Sequence, residues 1–249
     1  ASNQIYSNAE EFYRAENGHA IGYFWGFKTA GIFQNQQEIN DWIAAGNGVM
    51  QSNVQPGDTK YVDVNHDGAI NASDKVDLGN GLPKYTFGFN LSLGYKGFDL
   101  SANFTGAAGF QIAQSYRDPN SSQGNYSKAI LDRWTGEGTS NSTPRVTYGD
   151  VGNWQFSDLY LQDGDYIRLQ NLTLGYDFKR LISWKGISKL RLYVQAQNLF
   201  TLTKYDGMDP EIGSYNGTNG NSSDSWVSGV DMGYYPHPRT FLVGMNIAF

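Results

Sequence analysis

YTFGFNLSLGY, residues 85–95, is the stretch of sequence that decides the fold class. Its odd-numbered positions, from Tyr85 to Tyr95, are all apolar or aromatic, whereas its even-numbered positions are Thr, Gly, Asn and Ser. A period of two residues places successive side chains on opposite faces of an extended chain. The stretch is therefore predicted to be a β-strand with one apolar face and one small, polar face.

Four further segments alternate in the same way, which predicts five strands in all. The predicted spans are about 85–95, 97–107, 166–178, 189–199 and 240–249. The first two are joined by a tight turn at Lys96-Gly97. Within the third, Ile167 and Leu169 are out of phase with Leu172, which indicates a β-bulge near residues 170–171.

The length and spacing of these segments favour a transmembrane barrel. Ten residues tilted by about 45° rise roughly 24 Å, the height of the apolar band of such a barrel. The connections alternate between short and long, as periplasmic turns and extracellular loops do. We therefore expect an all-β chain, the C-terminal portion of a large antiparallel transmembrane β-barrel. Residues 1–84, 108–165 and 201–239 are assigned to extracellular loops.

Five strands cannot close a barrel, and open sheet edges are not tolerated in lipid. An upstream portion of the same protein is therefore expected to supply the remaining strands. The formal net charge of −6 and the lack of any long Lys or Arg run argue against nucleic acid as a partner. The sequence has no Cys, which excludes disulfides and Cys-based metal sites.

The final segment alternates and ends in an aromatic residue. Such a pattern resembles the assembly signal that the outer-membrane insertion machinery reads. A sheet-edge strand that happens to end in Phe is the alternative interpretation. The residues assigned to the signal are Phe241, Val243, Met245, Ile247 and Phe249.

Residues 63–74, DVNHDGAINASD, fit a twelve-residue calcium loop. Oxygen-bearing side chains fall at positions one, three, five, nine and twelve, and Gly68 stands at six, where the chain must turn sharply. An acidic surface turn without an ion is the alternative. A structural role is expected of the calcium. The predicted ligands are Asp63, Asn65, Asp67, Ala69 (through its carbonyl), Asn71 and Asp74.

Eight stretches in a fixed order resemble the SusC/RagA family of TonB-linked outer-membrane proteins. The set is more specific than any single member, and it covers nearly the whole chain. The stretches are residues 22–33 (GYFWGFKTAGIF), 56–79, 82–89 (LPKYTFGF), 132–135 (DRWT), 165–176 (DYIRLQNLTLGY), 195–200 (QAQNLF), 204–211 (KYDGMDPE) and 235–241.

The resemblance implies a plugged TonB-dependent transporter in the outer membrane. It implies import of glycan fragments (oligosaccharides) or peptides, with a SusD-like surface lipoprotein as partner. The TonB complex would act through the N-terminal plug-and-barrel portion of the same protein. Outer-membrane lipid would surround the strands.

Aromatic side chains in the predicted loops are candidates for substrate contact, because their faces stack on sugar rings and pack against peptides. Loop packing, contact with the lipoprotein and a place in the aromatic girdle are the alternatives. The residues assigned to substrate are Trp134, Trp154, Tyr215 and Trp226.

Catalytic motifs give no support for an enzyme. The sequence contains no HExxH, GxSxG, P-loop or Rossmann pattern. Two other functions remain open at this point. One is a secreted, calcium-stabilised β-sandwich that binds carbohydrate, and the other is a TonB-dependent receptor for a siderophore or cobalamin.

Overall fold

The computed structural model describes residues 12–114, 128–147, 152–182, 184–213 and 228–249. In these ranges the chain consists mainly of strands, and its α-helix, α1, spans Gln36–Ala44. No helix in them is long and apolar enough to cross a membrane. The strands are β1 (Tyr13–Arg14), β2 (Tyr23–Phe27), β3 (Thr29–Ile32), β4 (Thr59–Tyr61), β5 (Lys75–Asn80), β6 (Tyr85–Tyr95), β7 (Phe98–Ala108), β8 (Gln111–Gln114), β9 (Leu161–Asp163), β10 (Tyr166–Asp177), β11 (Lys189–Thr203), β12 (Val230–Asp231) and β13 (Thr240–Ala248). Short 3₁₀ helices span Ala72–Asp74, Lys128–Asp132, Gly152–Trp154, Asp158–Tyr160 and Phe178–Arg180.

The chain divides into two compact units. One comprises Ala1–Leu82, Gln111–Gln162 and Ile212–Gly233, and is called the loop unit below. The other comprises Pro83–Phe110, Asp163–Glu211 and Tyr234–Phe249, and is called the sheet unit.

The sheet unit contains one antiparallel sheet in the order β13-β11-β10-β7-β6. Its five strands overlap the five segments in which the sequence alternates. Between β6 and β7, Lys96 and Gly97 have φ of 46° and 92°. Positive φ at both central residues defines the type I′ turn, whose twist suits a two-residue hairpin.

The predicted bulge in the third long strand is confirmed. The register of β10 against β7 shifts between Leu169 and Asn171, so Gln170 is an extra residue. Because of it, Leu169 pairs with Phe104 and Leu172 with Ala102, which lie on the same face of β7. The insertion thus brings both halves of β10 into one apolar face.

The two faces of this sheet differ sharply in chemistry. The apolar face remains exposed: Tyr85 is 70% exposed, Phe89 57% and Val243 84%. On the polar face, the Nε of Arg191 donates to Asp99 Oδ1 at 2.8 Å. Gly175 lies between these two side chains, where a Cβ would come within 2.6 Å of both. A larger residue at this position would displace one or both side chains of the ion pair.

The segment assigned to an extracellular loop region, residues 1–84, contains regular structure in the loop unit. The described part of that segment forms the antiparallel sheet β1-β2-β5 and the pair β3-β4. Segments distant in sequence complete its core, because Phe12 and Phe24 pack with Phe156 and Val230. No local period could reveal this packing. The loop predicted at 108–165 likewise supplies β8, which pairs in parallel with β12.

Helix α1 lies in the same segment and was not predicted. The side chain of Asn35 accepts a hydrogen bond from the Glu38 amide at 2.9 Å, and Glu38 Oε2 accepts one from Gln34 N at 2.6 Å. The first bond satisfies an amide group that the first turn of a helix leaves open, and the second ties the Glu38 side chain to the residue before the cap. Ile39 is buried on the inner face. The spacing of Asn35 and Glu38 is the local signal that marks this helix start.

Candidate functional site

The calcium-type loop lies between β4 and β5 in the loop unit. Two residues in left-handed conformation form its sharp bend, His66 with φ 60° and Gly68 with φ 81°. Ile70, at the apolar eighth position, packs in a core cluster with Phe27 and Tyr61. The loop is therefore anchored to the core by its apolar residue and followed directly by a strand.

The two ends of the loop are joined through buried carboxylates. Asp63 is 1% exposed and Asp74 is 0% exposed. Asp63 accepts hydrogen bonds from the amides of Asp67 at 3.3 Å and Gly68 at 2.8 Å. Asp74 accepts from the amides of Val64 at 2.9 Å and Asn71 at 2.8 Å. Backbone amides thus turn both carboxylates towards the loop itself.

The shorter side chains within the loop form successive turns of the same kind. Asn65 Oδ1 accepts from Asp67 N at 3.0 Å, and Asp67 Oδ1 accepts from Ala69 N at 2.9 Å. Asn71 Nδ2 donates to the carbonyl of Ala69 at 3.4 Å. All the predicted ligands therefore take part in one connected set of hydrogen bonds.

The charge state of Asp63 suits a cation ligand. Burial acts to raise the pKa of Asp63, but hydrogen bonds from the amides of Gly68, His66 and Asp67 outweigh it and hold the pKa below its ordinary value. An ionised carboxylate offers about four lone-pair positions, so accepting amide protons leaves some of them open. In kind and number, the loop's oxygens fit calcium, which takes six to eight oxygen ligands.

Sequence reasoning missed a second charged cluster, in the sheet unit. Of the described residues, Asp209, Glu211 and His237 are the group of acidic and His side chains whose ligand atoms all lie within 4.8 Å of one another. The three Asp residues of the calcium-type loop do not approach one another so closely in this structure. The cluster joins the segment after β11 to the segment before β13.

Arg168 of β10 occupies the middle of this cluster and is 3% exposed. Its Nη2 donates to Asp209 Oδ1 at 2.5 Å, and its Nη1 donates to Glu211 Oε2 at 2.6 Å. The same Nη1 lies 3.1 Å from His237 Nδ1. The guanidinium bridges the two carboxylates and offsets one of their two negative charges, so it acts as an electrostatic clamp on the two loop segments of the cluster.

The structure describes the four aromatic residues assigned to substrate contact to different extents. Trp134 is partly buried and its ring lies against Gly57, so it packs on the turn before β4. Trp154 ends a 3₁₀ helix, but its side chain lies outside what the structure describes. Tyr215 and Trp226 lie outside the described residues. Of the four side chains, the structure describes that of Trp134, and the role of all four in substrate contact stays a prediction.

The residues assigned to an assembly signal lie along β13 and just beyond it. Phe241, Val243, Met245 and Ile247 pair with Ala196, Val194, Leu192 and Leu190 of β11, on the apolar face. Phe241 is 72% exposed and Phe249 91%. The alternation is thus present in the folded strand, whereas its reading by an insertion machinery stays a prediction.

Known proteins are similar to nearly the whole chain, although no family model matches it. TonB-dependent receptor P3 of Formosa agariphila is 32% identical over 234 residues, which cover 93% of this chain and 22% of that receptor. TonB-dependent receptor SusC of Bacteroides thetaiotaomicron is 28% identical over 236 residues, 93% of this chain and 20% of SusC. The chain thus spans about a fifth of the length of these relatives.

Solved structures give the same result for the fold. The structural match to the RagAB peptide importer in its open-open state covers 96% of this chain and 24% of the matched importer chain, with a TM-score of 0.64 and 21% sequence identity. The RagAB peptide transporter matches 95% of this chain and 24% of its own, with a TM-score of 0.64 and 23% identity. The resemblance inferred from the ordered motifs is confirmed by these relatives: over 93% of its length the chain is similar to TonB-dependent receptors, SusC among them.

Proposed function

We propose that this chain forms part of an outer-membrane β-barrel that imports oligosaccharides or peptides in a TonB-dependent manner. One observation carries the proposal: the sheet unit exposes a continuous apolar face on strands of 9 to 15 residues. A face on which Phe241 is 72% and Val243 84% exposed is unfavourable in water and suited to lipid.

The edges of the sheet support a larger barrel. Among the described residues, β6 and β13 each have one hydrogen-bonded neighbour in this sheet. Unpaired strand edges are costly in a bilayer, since no water satisfies their amides and carbonyls. In the proposed barrel, other strands of the receptor pair with these two edges. The short connections after β6 and β10 face the periplasm, and the longer segments face the outside.

A SusD-like lipoprotein and the TonB complex are the proposed partners. The relationship to SusC and the fold shared with RagAB support a receptor that works with a surface lipoprotein. The solved neighbours are named as peptide importers, which supports peptides as one substrate class. Oligosaccharides are the other class that we propose. Transport, rather than catalysis, is the activity expected of this protein.

Calcium is proposed as a structural ion of the loop at residues 63–74. The ligand spacing, the left-handed bend and the ionised Asp63 support it. The ion would hold the connection between β4 and β5 in one conformation, with Ile70 seated in the core. The carboxylates would then be neutralised by the metal in addition to the loop amides.

Affinity capture from detergent-extracted native membranes tests the proposal. The expected result is recovery of this chain within a receptor that also carries the plug and the other barrel strands, together with a lipoprotein. Mass spectrometry identifies both. Recovery of the folded protein from the soluble fraction, without a lipoprotein, would instead favour the secreted carbohydrate-binding sandwich.

Substrate class requires a separate measurement. Cells with and without the receptor gene are grown on a mixture of oligosaccharides and peptides, and depletion of each from the medium is followed by mass spectrometry. Loss of oligosaccharide uptake alone, or of peptide uptake alone, assigns the class. Unchanged uptake of both, with impaired uptake of a siderophore or cobalamin, would overturn the proposal in favour of that receptor type.

A further inference from the structure

One end of the five-stranded sheet concentrates positive charge. This basic end comprises residues 95–99, 176–191 and 246–249, which include the two short connections. It carries two acidic side chains, Asp99 and Asp177, although the whole chain has a net charge of −6. Its basic side chains are Lys96, Lys179, Arg180, Lys185, Lys189 and Arg191.

Strand pairing brings these charges together. The amide of Asp177 donates to the carbonyl of Gly97 at 2.9 Å, which joins the end of β10 to the β6–β7 turn. The aliphatic part of Arg180 packs at Gly97, where a Cβ would lie 2.8 Å from its Cδ. Lys189 begins β11, and its Cα pairs with that of Ala248. The six cations therefore share one end of one sheet.

Most of these six cations form no ion pair with a described carboxylate. Arg191 is paired with Asp99, and the Nζ of Lys179 donates to the carbonyl of Trp184 at 2.7 Å. The Asp177 side chain accepts from backbone amides instead of from a cation. Four exposed cations have no ion pair with any described residue: Lys96, Arg180, Lys185 and Lys189.

Exposed aromatic and apolar side chains accompany the free cations. Tyr95 is 70% exposed, Trp184 59% and Leu181 68%. The Lys96 ammonium lies 5.2 Å from the centre of the Tyr95 ring. Tyr and Trp prefer the boundary between hydrocarbon and headgroups, and clustered Lys and Arg attract anionic lipid. The combination matches a bilayer surface better than it matches a protein partner, whose interfaces are depleted of Lys.

We propose that the basic end binds the headgroups of anionic phospholipids in the membrane leaflet that it faces. The free ammonium and guanidinium groups contact phosphate, while Trp184 and Tyr95 lie at headgroup depth. The proposal rests on the membrane-spanning role proposed above. It adds a lipid preference, and a physical reason why the barrel keeps a fixed depth in the bilayer.

The test uses the full-length receptor in detergent with equal amounts of phosphatidylglycerol and phosphatidylcholine. Native mass spectrometry counts the lipids of each kind that stay bound. We expect the wild type to retain phosphatidylglycerol preferentially. Replacing the four free cations by Gln is expected to reduce the ratio of phosphatidylglycerol to phosphatidylcholine at least about tenfold. Raising NaCl from about 0.05 to about 0.5 M is expected to weaken the wild-type preference.

A control variant replaces three exposed cations at the opposite strand ends, Lys84, Lys204 and Arg239, again by Gln. This variant is expected to retain the wild-type ratio. An unchanged ratio of phosphatidylglycerol to phosphatidylcholine in the four-site variant overturns the lipid site. A wild-type preference for phosphatidylglycerol that does not change with NaCl concentration also overturns it. A receptor that is inserted in membranes but has no lipid preference overturns the lipid site alone. A receptor that is folded and soluble without detergent overturns the membrane-spanning role as well.

Discussion

Arg168 is the side chain that holds together two loop segments, the one after β11 and the one before β13. It is 3% exposed and forms ion pairs with Asp209 and Glu211, and its Nε donates to Thr201 at 2.9 Å. Replacing it by Ala leaves the buried Asp209 without its main counter-charge. The expected cost is about 3 to 5 kcal/mol of unfolding free energy, because a buried charge loses its partner.

Denaturant unfolding of the full-length receptor measures this cost, and Lys204→Ala is the matched control. Lys204 is 86% exposed and lies 3.7 Å from Asp163, so its removal is expected to cost at most about 1 kcal/mol. Equal effects of the two substitutions would contradict the clamp assigned to Arg168.

Acid is expected to weaken the same clamp. Burial acts to raise the pKa of Asp209, but hydrogen bonds from Glu211, His237 and Arg168 outweigh it and hold the pKa below its ordinary value. Because the pKa is lower in the folded state, the stabilisation is fully present above the ordinary Asp pKa of about 4. It is lost as the pH falls through the folded-state pKa.

Comparing the wild type with Asp209→Asn between pH 7 and pH 3 checks this expectation. The difference between their unfolding midpoints is expected to start shrinking below about pH 4, where Asp209 of the unfolded chain takes up a proton, and to be lost as the pH falls through the lower folded-state pKa. A difference that stays constant over this range would show that Asp209 stabilises the fold without its charge.

At the scale of single elements, the calcium-type loop gives the clearest prediction. Removing calcium with a chelator is expected to lower the unfolding midpoint of the full-length receptor by about 1 to 2 °C, because a ligand that binds only the folded state stabilises it by about 3 kcal/mol at saturating concentration. Restoring calcium recovers the midpoint, whereas magnesium, which demands rigid octahedral geometry, does not.

The double variant Asp63→Asn, Asp67→Asn is expected to lose the response to calcium. Asp41→Asn, at an exposed position on helix α1, is the control and keeps the response. A chelator response that survives in the double variant would place the ion elsewhere in the receptor.

The bulge in β10 gives a second prediction at this scale. Deleting Gln170 would move Ile167 and Leu169 to the polar face, because a shift of one residue inverts the faces of a strand. We expect loss of the compact band that a folded barrel shows on unheated electrophoresis gels. Gln170→Ala keeps the residue count and is expected to keep the band. A folded barrel after the deletion would mean that the bulge can move along the strand.

At the scale of the whole molecule, the proposed barrel requires that lipid covers the apolar face of the sheet and that water reaches its polar face. The chain has no Cys, so single Cys residues can be introduced without background from it. We expect Phe89→Cys and Val243→Cys to resist a water-soluble maleimide in intact membranes, because lipid covers them. Asn90→Cys and Asn246→Cys, on the polar face, are expected to react at least about ten times faster.

Detergent-free, unfolded protein serves as the reference in which all four positions react alike. Protection of Asn90→Cys together with free reaction of Val243→Cys would place the apolar face in water. That outcome would contradict the proposed membrane orientation.

The sequence by itself determined the five long strands, their apolar face and the bulge, because alternation is a local property of an extended chain. It also determined the candidate calcium loop, whose oxygens come from twelve consecutive residues. The ordered motifs by themselves indicated the resemblance to TonB-dependent receptors. Each of these features depends on residues that are close together in sequence, where their spacing alone determines which side chains point to the same face.

Only the tertiary structure decided what depends on distant segments. It showed a packed core in the loop unit, where Phe24 meets Phe156 and Val230 although no period links them. It brought Arg168 to Asp209 and His237, 41 and 69 residues away in sequence. It also gathered the cations of two separate connections at one end of the sheet. Such long-range contacts are determined by strand pairing and burial, which cannot be inferred from the residue spacing within any short stretch.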